Sequence, residues 1–295
     1  MTALELDSAL VSPHWLADHL GHPALVVVDA TVLGVETDAG FRWLSGLDEY
    51  LIGGHLPGAV FADLLEEFSD PAAGLTFARP NAAQLEAAAR GAGIDDDVTV
   101  VVYDSAIGQW AARLWWLLRS AGIERVAVLD GGLARWRAEG RPVDDGYQQP
   151  RTAGRLTLDE RPERWADKAE VEQVVAGESD AALICALPAS EFRGETGRRA
   201  RRGHIPRSVN VPVSTLVDRE SRAFLRGDAL GERLQGVETA ASDRARTIVY
   251  CGAGIAAAGA ALALHLAGHE DVAIYDGSLE EWAADDDAPL VTLAG

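Results

Sequence analysis

The stretch Ile248-Val249-Tyr250-Cys251-Gly252-Ala253-Gly254-Ile255-Ala256-Ala257 decides the fold. Thr247 to Tyr250 are apolar, β-branched and aromatic, which predicts a short buried strand. Ala256 to Ala267 are almost wholly Ala and Leu, the composition of a helix, and Gly268 supplies the residue that ends it. Between them lies a tight glycine-rich turn with Cys251 at its first position. Such a turn aims several backbone N–H groups, and the positive end of the helix, at one spot. The Cys251 sulfur is expected to emerge there. A thiolate is the nucleophilic form of cysteine, and a free thiol titrates near about 8.5. A helix terminus contributes only roughly 0.3–1 kcal/mol. Ionising a thiol in such a turn therefore calls for the whole ring of N–H donors, which would also hold an anion attached to the sulfur. Plain burial of a free cysteine is the alternative. The glycines at 252 and 254 are what favour chemistry.

Working outward, the chain has 295 residues, enough for one large or two average domains with full cores. Apolar content of 48% and charged content of 24% are those of a globular protein. A formal net charge of −20 argues against nucleic acid and anionic membrane surfaces as partners. The basic charge is nearly all arginine, Lys168 being the only lysine. No apolar run reaches the length of a membrane span, and Met1 to Gly21 lack the basic-then-apolar pattern of a signal peptide. A cytoplasmic location is the expectation. Two cysteines, Cys185 and Cys251, give neither a disulfide framework nor a four-ligand metal site.

Strands alternate with helices along the chain. Ala24 to Asp29, Val98 to Tyr103 and Val126 to Leu129 read as buried strands. His14 to Leu20 after Ser12-Pro13, Asn81 to Gly91, and Ala111 to Ser120 read as helices. This alternation predicts a mostly parallel sheet with helices on both faces. The same order then repeats. Leu183-Ile184-Cys185 answer Val27-Val28-Asp29, and Gly203-His204-Ile205-Pro206 answer Gly54-His55-Leu56-Pro57. The offset is 149 at the histidines (204 − 55) and 147 between Cys251 and Asp104 (251 − 104). It is 146 for Asp276 against Asp130 (276 − 130) and for Trp282 against Trp136 (282 − 136). So small a drift marks a tandem duplication. Asp144 to Gly154 is polar, with Gly and Pro, and reads as the linker. Two α/β domains are expected, residues 1–145 and 155–295.

This layout resembles the tandem-domain rhodanese sulfurtransferases, the thiosulfate and 3-mercaptopyruvate sulfurtransferases. The carriers are the two Gly-His-(Leu/Ile)-Pro turns, Leu129-Asp130-Gly131-Gly132 with Trp136, Asp276-Gly277-Ser278 with Trp282, and the Cys251 loop. The resemblance implies a catalytic second domain carrying Cys251 and a non-catalytic first domain, where Asp104 stands at the vacant cysteine position. It implies a two-step reaction with no organic cofactor and no metal. The Cys251 thiolate takes the outer sulfur of a small anionic donor as a persulfide, and an acceptor such as cyanide, a thiol or a thioredoxin-like protein removes it. The loop residues Gly252, Ala253, Gly254, Ile255 and Ala256 would hold that sulfur. The loop carries no basic side chain, which is similar to the 3-mercaptopyruvate type. It departs from that type at Ala253 and Ala256, where hydroxyls are usual. The resemblance also implies Asp-x-Arg at the end of the first strand of the domain and a further arginine beyond it, where this chain has Cys185, Leu187 and Glu191. Arg193, Arg198 and Arg199 are therefore the candidate donor-binding residues, in a run that otherwise reads as a solvated loop.

Rival readings are three. Gly252-x-Gly254-x-x-Ala257 matches a dinucleotide fingerprint, but too few residues follow Asp276 to complete such a domain, and Asp104 to Gly108 lack the pattern. A Cys-x5-Arg phosphatase loop would need arginine at Ala257. A rhodanese-like binding or sulfur-carrier module without turnover is the third. Cys185 is expected to be structural or a redox partner of Cys251, not a second nucleophile. His55 and His204 are expected to organise backbone, and the tryptophans to fill the core. Asp285 to Asp287 are expected to be a solvated tail.

Overall fold

Five-residue and shorter strands of Val, Ile, Leu and Ala, buried at nearly every position, build the centre of each half of the chain. Strands buried on both faces require cover on both faces, which is the condition of a parallel sheet flanked by helices. The computed structural model describes residues 4–38, 40–240 and 246–293, with backbone alone for 238–240.

The first unit contains β1 (Leu10–Val11), α1 (Pro13–His19), β2 (Leu25–Asp29), β3 (Val32–Thr37), β4 (Gly40–Ser45), β5 (Val60–Phe61), α2 (Ala82–Gly91), β6 (Thr99–Tyr103), α3 (Gln109–Ser120), β7 (Val126–Leu129) and α4 (Gly132–Ala138). Its sheet runs β1-β7-β6-β2-β5, every pairing parallel. The second unit contains β8 (Trp165–Ala166), α5 (Lys168–Ala176), β9 (Ala182–Cys185), α6 (Ala189–Phe192), β10 (Ser208–Asn210), α7 (Gly227–Ala240), β11 (Thr247–Tyr250), α8 (Ile255–Leu266), β12 (Val272–Tyr275) and α9 (Ser278–Ala284). Its sheet runs β8-β12-β11-β9-β10, also all parallel. Strand for strand the two orders are the same, so the repeat read from the sequence is a repeat of fold.

The duplication extends to single hydrogen bonds. The Tyr103 hydroxyl accepts from Leu56 N at 3.1 Å, and the Tyr250 hydroxyl from Ile205 N at 3.0 Å. His55 exchanges backbone bonds with Asp144, and His204 with Val291. Trp136 Nε1 donates to Pro142 O at 2.7 Å, and Trp282 Nε1 to Pro289 O at 2.9 Å. The two histidines and the tryptophans at 115, 116, 136 and 282 are buried, as expected of residues that hold backbone and core.

Helix starts differ among the described residues, and one difference bears on the site. Ser12, Asn81 and Asp167 cap α1, α2 and α5 with side-chain oxygens on the backbone N–H three residues on. The helices α3 and α8 begin instead after left-handed glycines, Gly108 (φ 86°) and Gly254 (φ 79°), with no side-chain cap. The first N–H groups of these two helices are left for another acceptor.

Three features differ from the sequence expectation. The antiparallel hairpin β3–β4 was not foreseen; its side chains are mostly exposed, so no buried alternation marks it. The stretch 144–154, read as a linker, packs on the first unit, where Arg151 Nη1 pairs with Asp95 Oδ2 at 2.6 Å and Gly154 N donates to the same oxygen at 2.6 Å. The division of the chain falls after Arg161 instead, and two short segments change sides. Gly74–Ala78 belong to the second unit and Arg219–Ala223 to the first. Asp285, expected to be solvated tail, pairs with Lys168, and its carbonyl accepts from Arg201.

Candidate active site

The turn between β6 and α3 shows what this loop does with an anion. Asp104, 1% exposed, follows β6 and folds its carboxylate into the turn. Oδ1 accepts from Ala106 N at 2.8 Å and Gly108 N at 3.0 Å, and Oδ2 from Trp110 N and Ala111 N at 2.9 Å each. Trp110 and Ala111 are the first-turn N–H groups that α3 cannot satisfy itself. Burial pushes this carboxyl above its ordinary range, and the four backbone donors oppose that rise. The Asp104 carbonyl accepts from Leu133 N at 3.0 Å, fixing the turn to the start of α4.

The turn between β11 and α8 is built the same way with a thiol in place of the carboxylate. Cys251, 2% exposed, follows β11, and its carbonyl accepts from Leu279 N at 3.1 Å, the partner expected from Leu133 in the first unit. Gly252, Gly254 and Ile255 are buried, while Ala253 and Ala256 are half-buried on the open side of the turn. Ser278 occupies the place of Gly132, with φ 49° against 54°. Its hydroxyl accepts from Cys251 N at 3.1 Å and Gly254 N at 3.2 Å and donates to Tyr275 O at 2.9 Å. The N–H that the aspartate satisfies at Gly108 is thus satisfied at Gly254 by a serine. Glu280 N donates to Gly252 O at 3.0 Å. The Glu280 carboxylate accepts from Thr76 N at 3.1 Å and Thr76 Oγ1 at 2.9 Å, so the Gly74–Ala78 segment is anchored on the residue that holds the loop.

Of the three candidate arginines, Arg199 lies at the loop. Its Nη2 fills the space where a side chain at position 252 would begin, so only glycine at that position lets the guanidinium rest against the turn. Arg199 Nη1 also lies 3.8 Å from Glu191 Oε2. Arg193 is engaged elsewhere, in a two-pronged pair with Glu195 at 2.6 and 2.9 Å. Arg198 is exposed. Arg201 donates to the carbonyls of Asp285 and Ala288, which ties the C-terminal segment down.

Cys185 ends β9, next to β11, in register with Tyr250. It is fully buried, and burial pushes its thiol up to about 12, with the Cys251 charge adding and the Leu187 backbone, the Tyr250 hydroxyl and Arg199 opposing. Such a thiol stays protonated at neutral pH and suits packing. Ser278 and Thr76 are the residues that sequence reasoning left out. Ser278 was read only as part of a repeat marker. The signal available was its position, a serine where the first repeat has Gly132. Nothing in the sequence near Thr76 points to Glu280.

The rhodanese-like domain family matches residues 12–139 and 167–285. A protein of Escherichia coli O157:H7 named 3-mercaptopyruvate sulfurtransferase is 34% identical over 286 residues, 96% of this chain and 98% of the relative. A thiosulfate sulfurtransferase of Gallus gallus is 34% identical over 233 residues, 77% of this chain and 78% of that one. The crystal structure of SseA from Escherichia coli superposes with a TM-score of 0.79 at 32% identity, covering 92% of this chain and 98% of that chain. With two matched domains, a shared strand order and relatives of its own length, the chain belongs to the rhodanese-like family and carries two tandem copies of its domain.

Proposed function

We propose that this sulfurtransferase moves sulfur through Cys251. The Cys251 thiolate attacks the outer sulfur of a small anionic donor, 3-mercaptopyruvate or thiosulfate. A new S–S bond forms to Sγ, the donor's bond to that sulfur breaks, and the remainder leaves with the electron pair as the enolate of pyruvate or as sulfite. A thiol, a thioredoxin-like protein or cyanide then attacks the outer sulfur and restores the thiolate. The observation that carries this reading is Asp104. In the first unit the turn holds a carboxylate on four backbone N–H groups. Counted from the left-handed glycine, the amides equivalent to those of Ala106, Trp110 and Ala111 belong to Gly252, Ala256 and Ala257. With Gly254 N already held by Ser278, these amides face the sulfur and stabilise negative charge on it during transfer. Ala253 and Ile255 complete the turn. Arg199 is the cation for the donor's carboxylate or sulfonate, through paired N–H donors.

No helix among the described residues is long and apolar enough to cross a membrane. Both cysteines are free thiols, which suits a reducing compartment such as the cytoplasm. The test is mass spectrometry after incubation with 3-mercaptopyruvate or thiosulfate. The peptide holding Cys251 gains one sulfur, Cys251→Ser loses both adduct and turnover, and Cys185→Ser keeps them. Turnover retained in Cys251→Ser sinks the mechanism. No adduct with any donor turns the reading to a binding module.

A further inference from the structure

Resting on that reading, we infer that Thr76 is a positioning residue for sulfur transfer: acting through Glu280, it holds the peptide planes around Gly252 so that the N–H groups of the turn serve the sulfur. The chain of bonds is short. Thr76 N and Thr76 Oγ1 both donate to Glu280 Oε1, at 3.1 and 2.9 Å. Glu280 N donates to Gly252 O at 3.0 Å, and Leu279 N to Cys251 O at 3.1 Å. In a trans peptide the N–H points opposite to the C=O. With the carbonyls of Cys251 and Gly252 drawn to the start of α9, the N–H groups of Gly252 and Ala253 turn to the other side. The first unit shows the same division. There Leu133 N draws the Asp104 carbonyl to the start of α4, while Ala106 N and Gly108 N serve the carboxylate.

The link is built at the turn that carries the thiol. Alanine at 134 answers Glu280 in the first unit (280 − 146), so the turn of Asp104 lacks this carboxylate. In that unit the short segment Arg219–Ala223 is fastened to the turn itself, Arg222 Nη1 donating to Ala106 O at 3.3 Å. In the second unit Gly74–Ala78 is fastened instead to the residue whose N–H holds Gly252 O. Each segment carries a non-glycine residue in the left-handed region, Phe77 and Arg222, both at φ 59°. Such a conformation persists where the surroundings impose it. The two bonds to Glu280 lie directly beside Phe77 in sequence. They are charge-assisted and fix the half-buried Glu280 side chain in the first turn of α9. Without the hydroxyl, one of the two bonds is lost and the hold of Glu280 N on Gly252 O slackens.

Thr76→Val removes the hydroxyl at nearly constant shape. Two rates are measured: turnover with 3-mercaptopyruvate or thiosulfate, and alkylation of Cys251 by iodoacetamide at neutral pH, read by peptide mass. Alkylation needs no sulfur donor, so it judges the inference even where no persulfide forms. A wild type that alkylates at Cys251 but neither loads sulfur nor turns over tells against the sulfur-transfer reading instead. In Thr76→Val, kcat and the alkylation rate fall together by about three- to tenfold, the size of one hydrogen bond to a charged group. KM stays within about twofold, because the loss falls on the transfer step. Thr76→Ser restores most of both rates. In Glu280→Ala, which copies the first unit, adding Thr76→Val costs nothing further, because the two residues act as one path. Unchanged kcat and alkylation in Thr76→Val, whatever its melting temperature, reduce Thr76 to a structural contact and overturn the inference. A raised KM at unchanged kcat, or additive losses in the double variant, overturn it as well. If Thr76→Val folds poorly, Glu280→Gln decides: partial loss of both rates supports the inference, and rates equal to wild type overturn it.

Discussion

Ser278 shows how much of the site depends on one hydroxyl. It accepts from two N–H groups of the loop and donates to Tyr275 O, in a backbone conformation, φ 49°, that L residues rarely hold. Removing the hydroxyl leaves the buried N–H groups of Cys251 and Gly254 without an acceptor, at about 1–3 kcal/mol each. The Ser278→Ala variant should melt lower and turn over more slowly, with kcat falling and KM unchanged, because the donor's charged groups are held elsewhere. Ser278→Gly loses the same bonds but relieves the backbone, by about 1 kcal/mol. The expected order of melting temperature is wild type, then Gly, then Ala. An Ala variant as fast as wild type would remove Ser278 from the machinery. The sequence offers one signal of this, a serine where the first repeat has Gly132, and none of the bonds that the hydroxyl makes. The proposed nucleophile is the residue that the sequence singles out most sharply, because a cysteine between a β-branched strand and a Gly-x-Gly turn has few uses. Arg199 was legible only as one of a run. Its selection needed the chain path that lays it on Gly252.

At the scale of elements, the two repeats hold different chemistry on the same strand ends. In the first unit β2 ends in Asp29 and β6 leads to Asp104, and in the second β9 ends in Cys185 and β11 leads to Cys251. The sequence markers paired these residues correctly, since strand ends keep their register through duplication. What the markers could not show was that the Asp104 carboxylate turns inward onto four N–H groups. The acid pair carries a pH signature. Asp29 is 2% exposed, and burial raises its carboxyl to about 6, opposed by the Thr31 and Tyr103 hydrogen bonds and assisted by Asp104. The folded value lies above the unfolded one, so the folded form binds the proton more tightly. The stabilisation is complete below pH 4 and is lost as pH rises through about 6. A shift of this size corresponds to about 3 kcal/mol. The first unit's melting temperature should fall between about pH 4 and 7, and Asp29→Asn should flatten that fall and melt higher than wild type at pH 8. A profile identical to wild type in Asp29→Asn would place the titration elsewhere.

Over the whole molecule, the exchange of Gly74–Ala78 and Arg219–Ala223 between units escaped the sequence because five-residue segments carry no periodicity to assign. Net charge, by contrast, is read directly, and it sets the remaining prediction. The chain carries −20, while Arg199 offers one cation at the loop and Glu191 stands beside it. For an anionic donor these act over different ranges. At 0.01 M salt the Debye length is about 30 Å and an approaching anion feels the charge of the whole molecule. At 0.15 M it is about 8 Å, and distant acids are screened while Arg199 at contact is not. The global repulsion is therefore lost first as salt rises. For thiosulfate, kcat/KM should increase by about two- to threefold between these salt concentrations. Arg199→Ala should lower kcat/KM for thiosulfate at both salts and keep the upward slope, because the slope belongs to the molecule and the contact to the residue. A wild-type rate that falls with salt would mean that local arginines outweigh the −20, and that the anion is drawn to the turn rather than admitted to it.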